Sequence, residues 1–230
     1  MSARAGLLWA SCVAAFVAGA PGAWAQAPAR SQAASGDKAA AALMETAAAR
    51  YKNAASVCSD FTQRLTVPLL GQDQSGRGRF CSQRPDKFAL RFTEPAGDLV
   101  VGDGTWVWAY YPSMDAKQVL RIPAARAPGG FDFYREYFEG WADKYQVTRE
   151  GSETVAGRAT ERLRLVPRAG TSYQAVVVWV GADGVLRQIR VEEENGSVRT
   201  VTLTSADMGA TPPAAWFTFT PPRGAQIIGG

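Results

Sequence analysis

Two different spacings of apolar residues divide the chain. Between Ser35 and Cys58, apolar residues recur every three or four positions, which is typical of a helix with one apolar face. After Cys58, apolar and polar residues alternate, and Asp-Gly or Asn-Gly pairs interrupt the alternation, as in antiparallel hairpins. From Phe61 onward we count about eleven strand-like runs. The pattern predicts a mainly β fold, a barrel or strongly curved sheet with helices and without a second domain.

The helical stretch is predicted to begin at Ser35, whose hydroxyl can accept a hydrogen bond from a free backbone N–H of the first turn. Asp37 suits the positive end of the helix dipole. The apolar face is rich in alanine and contains Leu43, Met44, Ala47, Tyr51 and Ala54. Residues 26–34 have no periodicity and are predicted to be a flexible leader, so a single domain is expected over residues 35–230.

The N-terminal residues have the features of a secretory signal peptide. Arg4 precedes an apolar run, and small residues around Ala23 and Ala25 form an A-x-A cleavage site, which predicts a signal peptide over residues 1–25. The apolar run is too short to span a bilayer. The mature protein is therefore expected to be exported and soluble. Cys12 could be a lipid-attachment cysteine instead, but the apolar stretch before it is too short for ordinary processing.

The first two strands contain the two remaining cysteines. Alternation places Cys58 on the polar face of the first strand and Cys81 on the polar face of the second. If the two residues face each other, Asp60 faces Arg79, which pairs opposite charges. We therefore predict a Cys58–Cys81 disulfide across this hairpin. The alternative is a pair of free buried thiols.

An aromatic segment, residues 131–141, interrupts the strands. Phe131, Tyr134, Phe138 and Trp141 fall at helical spacing, and so apolar a face must lie on the sheet, a membrane or a ligand. Periodicity does not distinguish a fixed plug at one end of a barrel from a mobile lid.

One arginine falls among apolar residues. Arg84 follows the second strand with the same parity as Phe80, and it lies near Phe88, Leu90 and Phe92 of the next strand. A cation on an apolar face needs a partner. The alternative is that Arg84 lies at the strand end and extends its guanidinium into water.

Several kinds of chemistry are excluded by composition. The chain has no histidine, so Ser-His and Cys-His nucleophile pairs and histidine-ligated metal sites are excluded. The formal net charge of +4 is not concentrated in a basic run, which argues against a nucleic-acid partner. Glu94, Asp98 and Asp103 could form an acid–base pair, but they fall in or beside predicted turns. We expect no catalytic residues, metal or cofactor, and hence not an enzyme.

Four short stretches, in order along the chain, resemble the periplasmic lipoprotein carrier family, commonly called LolA. They are Asp60-Phe61-Thr62-Gln63, Gln83-Arg84-Pro85-Asp86-Lys87-Phe88, Val101-Gly102-Asp103-Gly104-Thr105-Trp106-Val107-Trp108 and Phe217-Thr218-Phe219-Thr220-Pro221-Pro222-Arg223-Gly224. The resemblance implies an unclosed antiparallel β-barrel of about eleven strands, covered by an α-helical lid over an apolar cavity.

The resemblance also implies partners and a gating residue. Members of the family take lipoproteins, held by their acyl chains, from an inner-membrane ATP-driven (ABC) transporter to an outer-membrane receptor. In this family the arginine of Arg-Pro, here Arg84, is implied to hydrogen-bond the lid backbone when the cavity is empty and to release it when cargo enters. A monomer is expected. Two other functions stay open: a carrier or sensor of another periplasmic lipid, and a lipid-modifying enzyme that uses a carboxylate dyad.

The residues expected to line the acyl-chain cavity are the large apolar ones of the early strands and the lid. Plain barrel core is the alternative for each of them. They are Phe61, Leu65, Phe80, Phe88, Leu90, Phe92, Leu99, Val101, Trp106 and Trp108 on the strands, with Phe131, Tyr134 and Phe138 on the lid. The cysteine pair, the aromatic lid and the short tail ending at Gly230 depart from the family's usual pattern.

Overall fold

The computed structural model describes residues 29–127 and 131–229. The predicted signal peptide and the first residues of the predicted leader lie outside the described residues. The helices are α1 (Ala29–Asn53), α2 (Pro112–Asp115), α3 (Phe133–Phe138) and α4 (Trp141–Lys144). The strands are β1 (Ser56–Val67), β2 (Gln72–Gln83), β3 (Lys87–Glu94), β4 (Leu99–Asp103), β5 (Trp106–Tyr110), β6 (Gln118–Pro123), β7 (Tyr145–Val155), β8 (Arg158–Pro167), β9 (Tyr173–Val180), β10 (Leu186–Glu193), β11 (Val198–Leu203) and β12 (Gln226–Ile228).

All twelve strands belong to one sheet in the order β12-β6-β5-β4-β3-β2-β1-β11-β10-β9-β8-β7. Neighbouring strands are antiparallel except β12, which pairs in parallel with β6. β12 and β7 form the two edges, so the barrel is unclosed, as expected. The strand beyond the predicted eleven is β12, whose three residues are too few for alternation to identify.

The first hairpin has the predicted register. Cys58 pairs with Cys81 and Asp60 with Arg79. The cysteines form a disulfide with a Cα–Cα distance of 4.1 Å, and Arg79 donates to Asp60 at 2.9 Å. The sequence-based register and disulfide are therefore confirmed.

Helix α1 is longer than the sequence indicated. It begins at Ala29, six residues before Ser35, so residues 29–34 of the predicted leader are helical and Ser35 is not its N-cap. Alanine favours helix even where apolar residues do not recur at helical spacing. A prediction from that spacing alone therefore started the helix too late. The predicted apolar face is nevertheless the one that packs on the barrel, since Met44, Ala47 and Tyr51 are buried.

The larger hydrophobic core lies on the concave inner face of the sheet, beneath α1 and α3. Its strand residues include Phe61, Phe80 and Leu90, each at most 3% exposed. Within the described residues, no helix combines the length and apolar character that a bilayer crossing needs.

A second, smaller core lies on the convex outer face. The disulfide, Leu99 and Val101 pack there against Phe217, which belongs to residues 207–219, here called the C-terminal strap. The strap bridges to β1 through reciprocal backbone hydrogen bonds between Cys58 and Asp207, at 2.8 and 3.0 Å. The outer face of this part of the sheet is thus as dry as the inner face.

This second core corrects four predicted lining residues. Leu99 and Val101 are buried in the outer core, and Trp108 packs on Phe219 of the strap with ring centroids 6.0 Å apart. Trp106 shares their parity and stacks under Arg121, 4.2 Å from its ring. The expectation that these residues face the cavity is wrong, because the strap buries the outer face and makes both faces of β4 and β5 apolar. Their smaller neighbours face inward.

Candidate functional site

The aromatic segment forms two short helices inside the mouth of the barrel. Asp132 caps α3 by accepting from the backbone N–H of Arg135, and Gly140, with φ of 63°, separates α3 from α4. Phe131 precedes α3, and Trp141 begins α4. The predicted single helix is therefore broken after Phe138.

The buried stripe of α3 contains four aromatic side chains that fill the barrel interior. Phe133, Tyr134, Tyr137 and Phe138 are each at most 4% exposed. Tyr51 of α1 stacks on Tyr134 and on Phe138, with ring centroids 4.0 and 5.2 Å apart. The side chains of α3 thus occupy the space that an apolar ligand would need.

The spacing of the aromatic residues predicted only half of this stripe. It singled out Tyr134 and Phe138 but not Phe133 and Tyr137, whose spacing of four residues places them on an adjoining face of the same helix. Phe133 and Tyr137 would have been predicted if more than one residue per helical turn had been assigned to the buried face. A helix inserted into a barrel is buried on more than one side.

Polar contacts hold the N-terminal end of α3 to the first hairpin. The hydroxyls of Tyr134 and Ser59 lie 3.1 Å apart, and Ser82 donates to Asp132 at 2.9 Å. Burial raises the pKa of Tyr134 to about 12 and also raises the pKa of Asp132, although the Ser82 hydrogen bond opposes the shift at Asp132. Both groups lie where the N-terminal end of α3 meets the first hairpin.

A second polar cluster, here called the latch, holds the middle of α3. The Glu136 carboxylate accepts from Tyr145 at 2.9 Å and from Tyr173 at 3.1 Å, and the two hydroxyls lie 2.7 Å apart. Burial raises the pKa of Tyr145, and it raises the pKa of Tyr173 to about 12, so both hydroxyls are protonated donors at neutral pH. None of these three residues was predicted as part of the site.

An open groove of about 420 Å³ runs along the seam between α1 and α3. This volume falls in the range of small-ligand pockets. Alanines and aromatics form its floor, and charged side chains form its rim. The floor includes Ala48, Tyr51, Ala55, Val57, Tyr134 and Phe138, and the rim includes Glu45, Lys52, Arg84, Arg135 and Glu139.

Arg84 lies on the rim of this groove, just beyond the end of β2. Its side chain is exposed, and Nη2 donates to the carbonyl of Tyr51, near the C-terminus of α1, over 3.5 Å, a long hydrogen bond. Its backbone N–H donates to Ala55 at 2.9 Å. Arg84 therefore combines features of both alternatives: it lies at a strand end, and its guanidinium hydrogen-bonds the backbone of a helix.

The remaining predicted lining residues lie on the inner side. Phe61, Phe80, Phe88 and Leu90 belong to the main core, and Phe92 and Phe131 pack against it while partly exposed. Leu65 follows Phe61 by four residues in β1 and is half-buried. Tyr134 and Phe138, the other two predicted lining residues, belong to α3 itself and lie in the interior.

The three carboxylates considered as an acid–base pair are bound elsewhere. Asp103 accepts from the backbone N–H groups of Thr105 and Trp106 in its turn, and Asp98 accepts from Ser113 at 2.6 Å. Glu94 forms a salt bridge with Arg77. The structure does not bring these three carboxylates together in the interior.

Together, fold and site define an unclosed barrel with a helical insert in its apolar interior. The family model of the outer membrane lipoprotein carrier protein LolA matches residues 52–220, and the chain belongs to this family. The match spans the barrel from the end of α1 to the strap.

Curated relatives have the same description. The chain is 27% identical over 180 residues to an outer-membrane lipoprotein carrier protein of Klebsiella pneumoniae, with coverage of 77% of this chain and 83% of that one. It is 28% identical over 180 residues, with the same coverage, to a Salmonella paratyphi B protein of the same name. An uncharacterized conserved protein of Thermus thermophilus has a similar fold, with a TM-score of 0.53, 13% identity, and coverage of 84% of this chain and 99% of that one.

Proposed function

We propose that the protein is a periplasmic carrier that holds lipoprotein acyl chains in the barrel after they displace α3. In this proposal it receives cargo from an inner-membrane ATP-driven transporter and delivers it to a receptor in the outer membrane, acting as a monomer and not as an enzyme. The observation that carries the proposal is the aromatic stripe of α3 in the interior of a barrel of this family.

The energetics support exchange between α3 and an acyl chain. Exposing one ~16-carbon chain to water costs about 12 kcal/mol, so cargo cannot cross the periplasm unaided. Burial of four aromatic side chains is worth about 6–12 kcal/mol by the same measure. Because the two quantities are similar, a chain can replace the stripe without binding irreversibly.

The groove between α1 and α3 offers a starting point for that exchange. It lies against Tyr51, Tyr134 and Phe138, so an apolar group entering it would contact the stacked rings directly. Arg84 is proposed to favour the closed state through its hydrogen bond to the backbone of α1. The rest of the proposed lining surrounds the volume that α3 would vacate.

The Arg84→Leu variant tests the gating role. The hydrogen bond holds the backbone of Tyr51, whose ring stacks on α3, so its loss should shift α3 toward the open state by up to about tenfold. Cargo should then be retained, and its transfer to acceptor membranes slowed. The measurement is transfer of a purified triacylated lipoprotein to vesicles that contain the receptor. Arg158→Leu, at an exposed arginine beginning β8, is the matched control. Transfer by Arg84→Leu at the wild-type rate would show that Arg84 does not gate.

Molecules bound in the periplasm distinguish this function from the two others. Protein purified from its native periplasm should release triacylated peptides, identified by mass spectrometry. Release of free lipid alone would favour a carrier or sensor of another lipid. Release of chemically altered lipid would favour a lipid-modifying enzyme.

A further inference from the structure

Exposed apolar side chains are concentrated at one edge of the sheet. Of the side chains that the structure describes, six large apolar ones are exposed, and four of these lie on β12, on β6 or on α2, which leads into β6. They are Met114, Leu120, Ile227 and Ile228, with exposed fractions of 77%, 37%, 43% and 38%. Leu120 and Ile228 pair directly in the register of β6 and β12. Such a cluster marks a surface that contacts something other than water.

The same edge carries positive charge. Residues 116–127 and 224–229 contain Lys117, Arg121 and Arg126 and no carboxylate. Asp115, just before this stretch, accepts from the backbone N–H of Lys117 at 2.8 Å. None of the three cations forms a salt bridge within the described part of the chain, whereas three arginines of the first hairpin do. The edge therefore attracts a negatively charged partner.

Arg121 is the central cation of this edge. Its guanidinium lies over the rings of Trp106 and Trp108, 4.2 and 5.6 Å from the two centroids. Its Nε is buried and has no hydrogen-bond partner among the described residues. Tyr110 and Phe219 continue the aromatic row along the outer face, with ring centroids 5.5 Å apart. The two indole rings hold the guanidinium in place, and its forked N–H groups can bind an anion.

The combination of charge and apolar surface indicates the kind of partner. A second copy of the chain, related by a twofold axis, would place this edge against itself and bring like charges together. An anionic phospholipid bilayer instead offers phosphates at its surface and hydrocarbon just beneath them. Indole and guanidinium groups favour the headgroup level between the two. The bilayer thus matches the apolar, the aromatic and the cationic side chains of the edge.

We propose that α2, β6 and β12, here called the docking edge, bind the surface of an anionic phospholipid bilayer. In the docked state, Ile227 and Ile228 enter the boundary of the acyl region, and Arg121 donates to a lipid phosphate. Each cation near such a surface strengthens binding about fivefold, so three cations give an attachment that is reversible. The docking edge goes beyond the proposed function, because it acts on the outside of the barrel and requires no displacement of α3.

Cosedimentation of the purified mature protein with large vesicles tests the docking edge. One vesicle type contains equal parts of phosphatidylglycerol and phosphatidylcholine, and the other contains phosphatidylcholine alone. We expect binding to the anionic vesicles that salt weakens, and binding to the neutral vesicles that is about tenfold weaker or less. Arg121→Gln should weaken binding to the anionic vesicles about fivefold, and Ile227→Ser combined with Ile228→Ser should weaken it about tenfold.

Matched variants near the opposite edge of the sheet separate docking from general effects of charge and hydrophobicity. Val166→Ser and Arg158→Gln, at an exposed apolar residue and an exposed cation of β8, should bind the anionic vesicles as the wild type does. Arg121→Lys keeps the positive charge and should keep most of the binding. Urea denaturation establishes that each variant is folded.

Three results would each overturn the docking edge. The first is equal binding of the wild type to the two vesicle types, or binding to neither. The second is unchanged binding to the anionic vesicles by either Arg121→Gln or the isoleucine double variant. The third is a doubled mass in sedimentation equilibrium that the double variant abolishes, which would assign the edge to a second copy of the chain. None of these results concerns the acyl-binding interior, so the proposed function would stand.

Discussion

The inner face of the sheet is covered by α3, and the outer face by the C-terminal strap. Both layers exclude water from aromatic and aliphatic side chains, yet they are attached differently. The strap is held through its backbone: Arg91 donates to the carbonyls of Trp216 and Thr218 at 2.9 and 3.0 Å, and Asp207 bridges to Cys58. Helix α3 is held chiefly by side chains, through its rings, the latch and the seam beside Ser59.

This difference indicates which layer can be exchanged. Backbone pairing joins the strap to the first hairpin, whose two strands the buried disulfide links, so the strap should separate only when the barrel unfolds. The contacts of α3 are ones that a ligand can replace, because an acyl chain offers apolar surface and water can satisfy the latch. In the proposed carrier, similar burial would serve release at α3 and stability at the strap.

The largest expected effect comes from a matched pair of phenylalanines. Phe217 of the strap and Phe138 of α3 are each 1% exposed. Phe217→Ala should lower the free energy of unfolding by about 3–5 kcal/mol. Phe138→Ala should lower it less, because the loss cannot exceed the free energy of lid opening. Urea denaturation measures the unfolding free energies, and binding of an apolar probe measures opening, which only Phe138→Ala should increase. Equal losses would mean that both layers open together.

A smaller effect is expected from the disulfide. Replacing both cysteines, Cys58→Ala with Cys81→Ala, releases a loop of 23 residues and should cost about 3 kcal/mol of stability, chiefly by freeing the unfolded chain. The same variant should bind the apolar probe as the wild type does, because the bond lies under the strap and not under the lid. Reduced wild-type protein is the control. An unchanged urea midpoint would contradict the assignment of this bond to the stability of the outer layer.

The same contrast explains what the sequence could and could not predict. The Cys58–Cys81 register was predictable because polar and apolar residues alternate cleanly in β1, and the charges of Asp60 and Arg79 fix the pairing. In β4 and β5 the alternation does not show which face points inward, because residues 207–219 cover the outer face and make it apolar too. Trp106 and Trp108 were therefore assigned to the wrong face. Nothing local indicates a covering segment a hundred residues away in the chain.

The site was predictable only where its chemistry is local. The aromatic spacing identified α3 as a helix that must be covered, and Arg84 lies by the backbone of α1. The latch joins Glu136 to β7 and β9, so it depends on the sheet order.

The smallest effect on stability, and the sharpest test of the lid, is expected at the latch. Tyr145→Phe removes the hydroxyl that donates to Glu136 while keeping the buried ring, and should cost about 1–2 kcal/mol. The substitution should lower the free energy of lid opening. Amide hydrogens of α3 should then exchange about tenfold faster or more, while those of β1 and β2 should exchange as in the wild type. Tyr110→Phe, on the outer face with one long hydrogen bond of 3.4 Å, is the matched control. If exchange accelerates equally in α3 and in the first hairpin, then Glu136 stabilises the whole barrel rather than the lid, and α3 is a fixed plug.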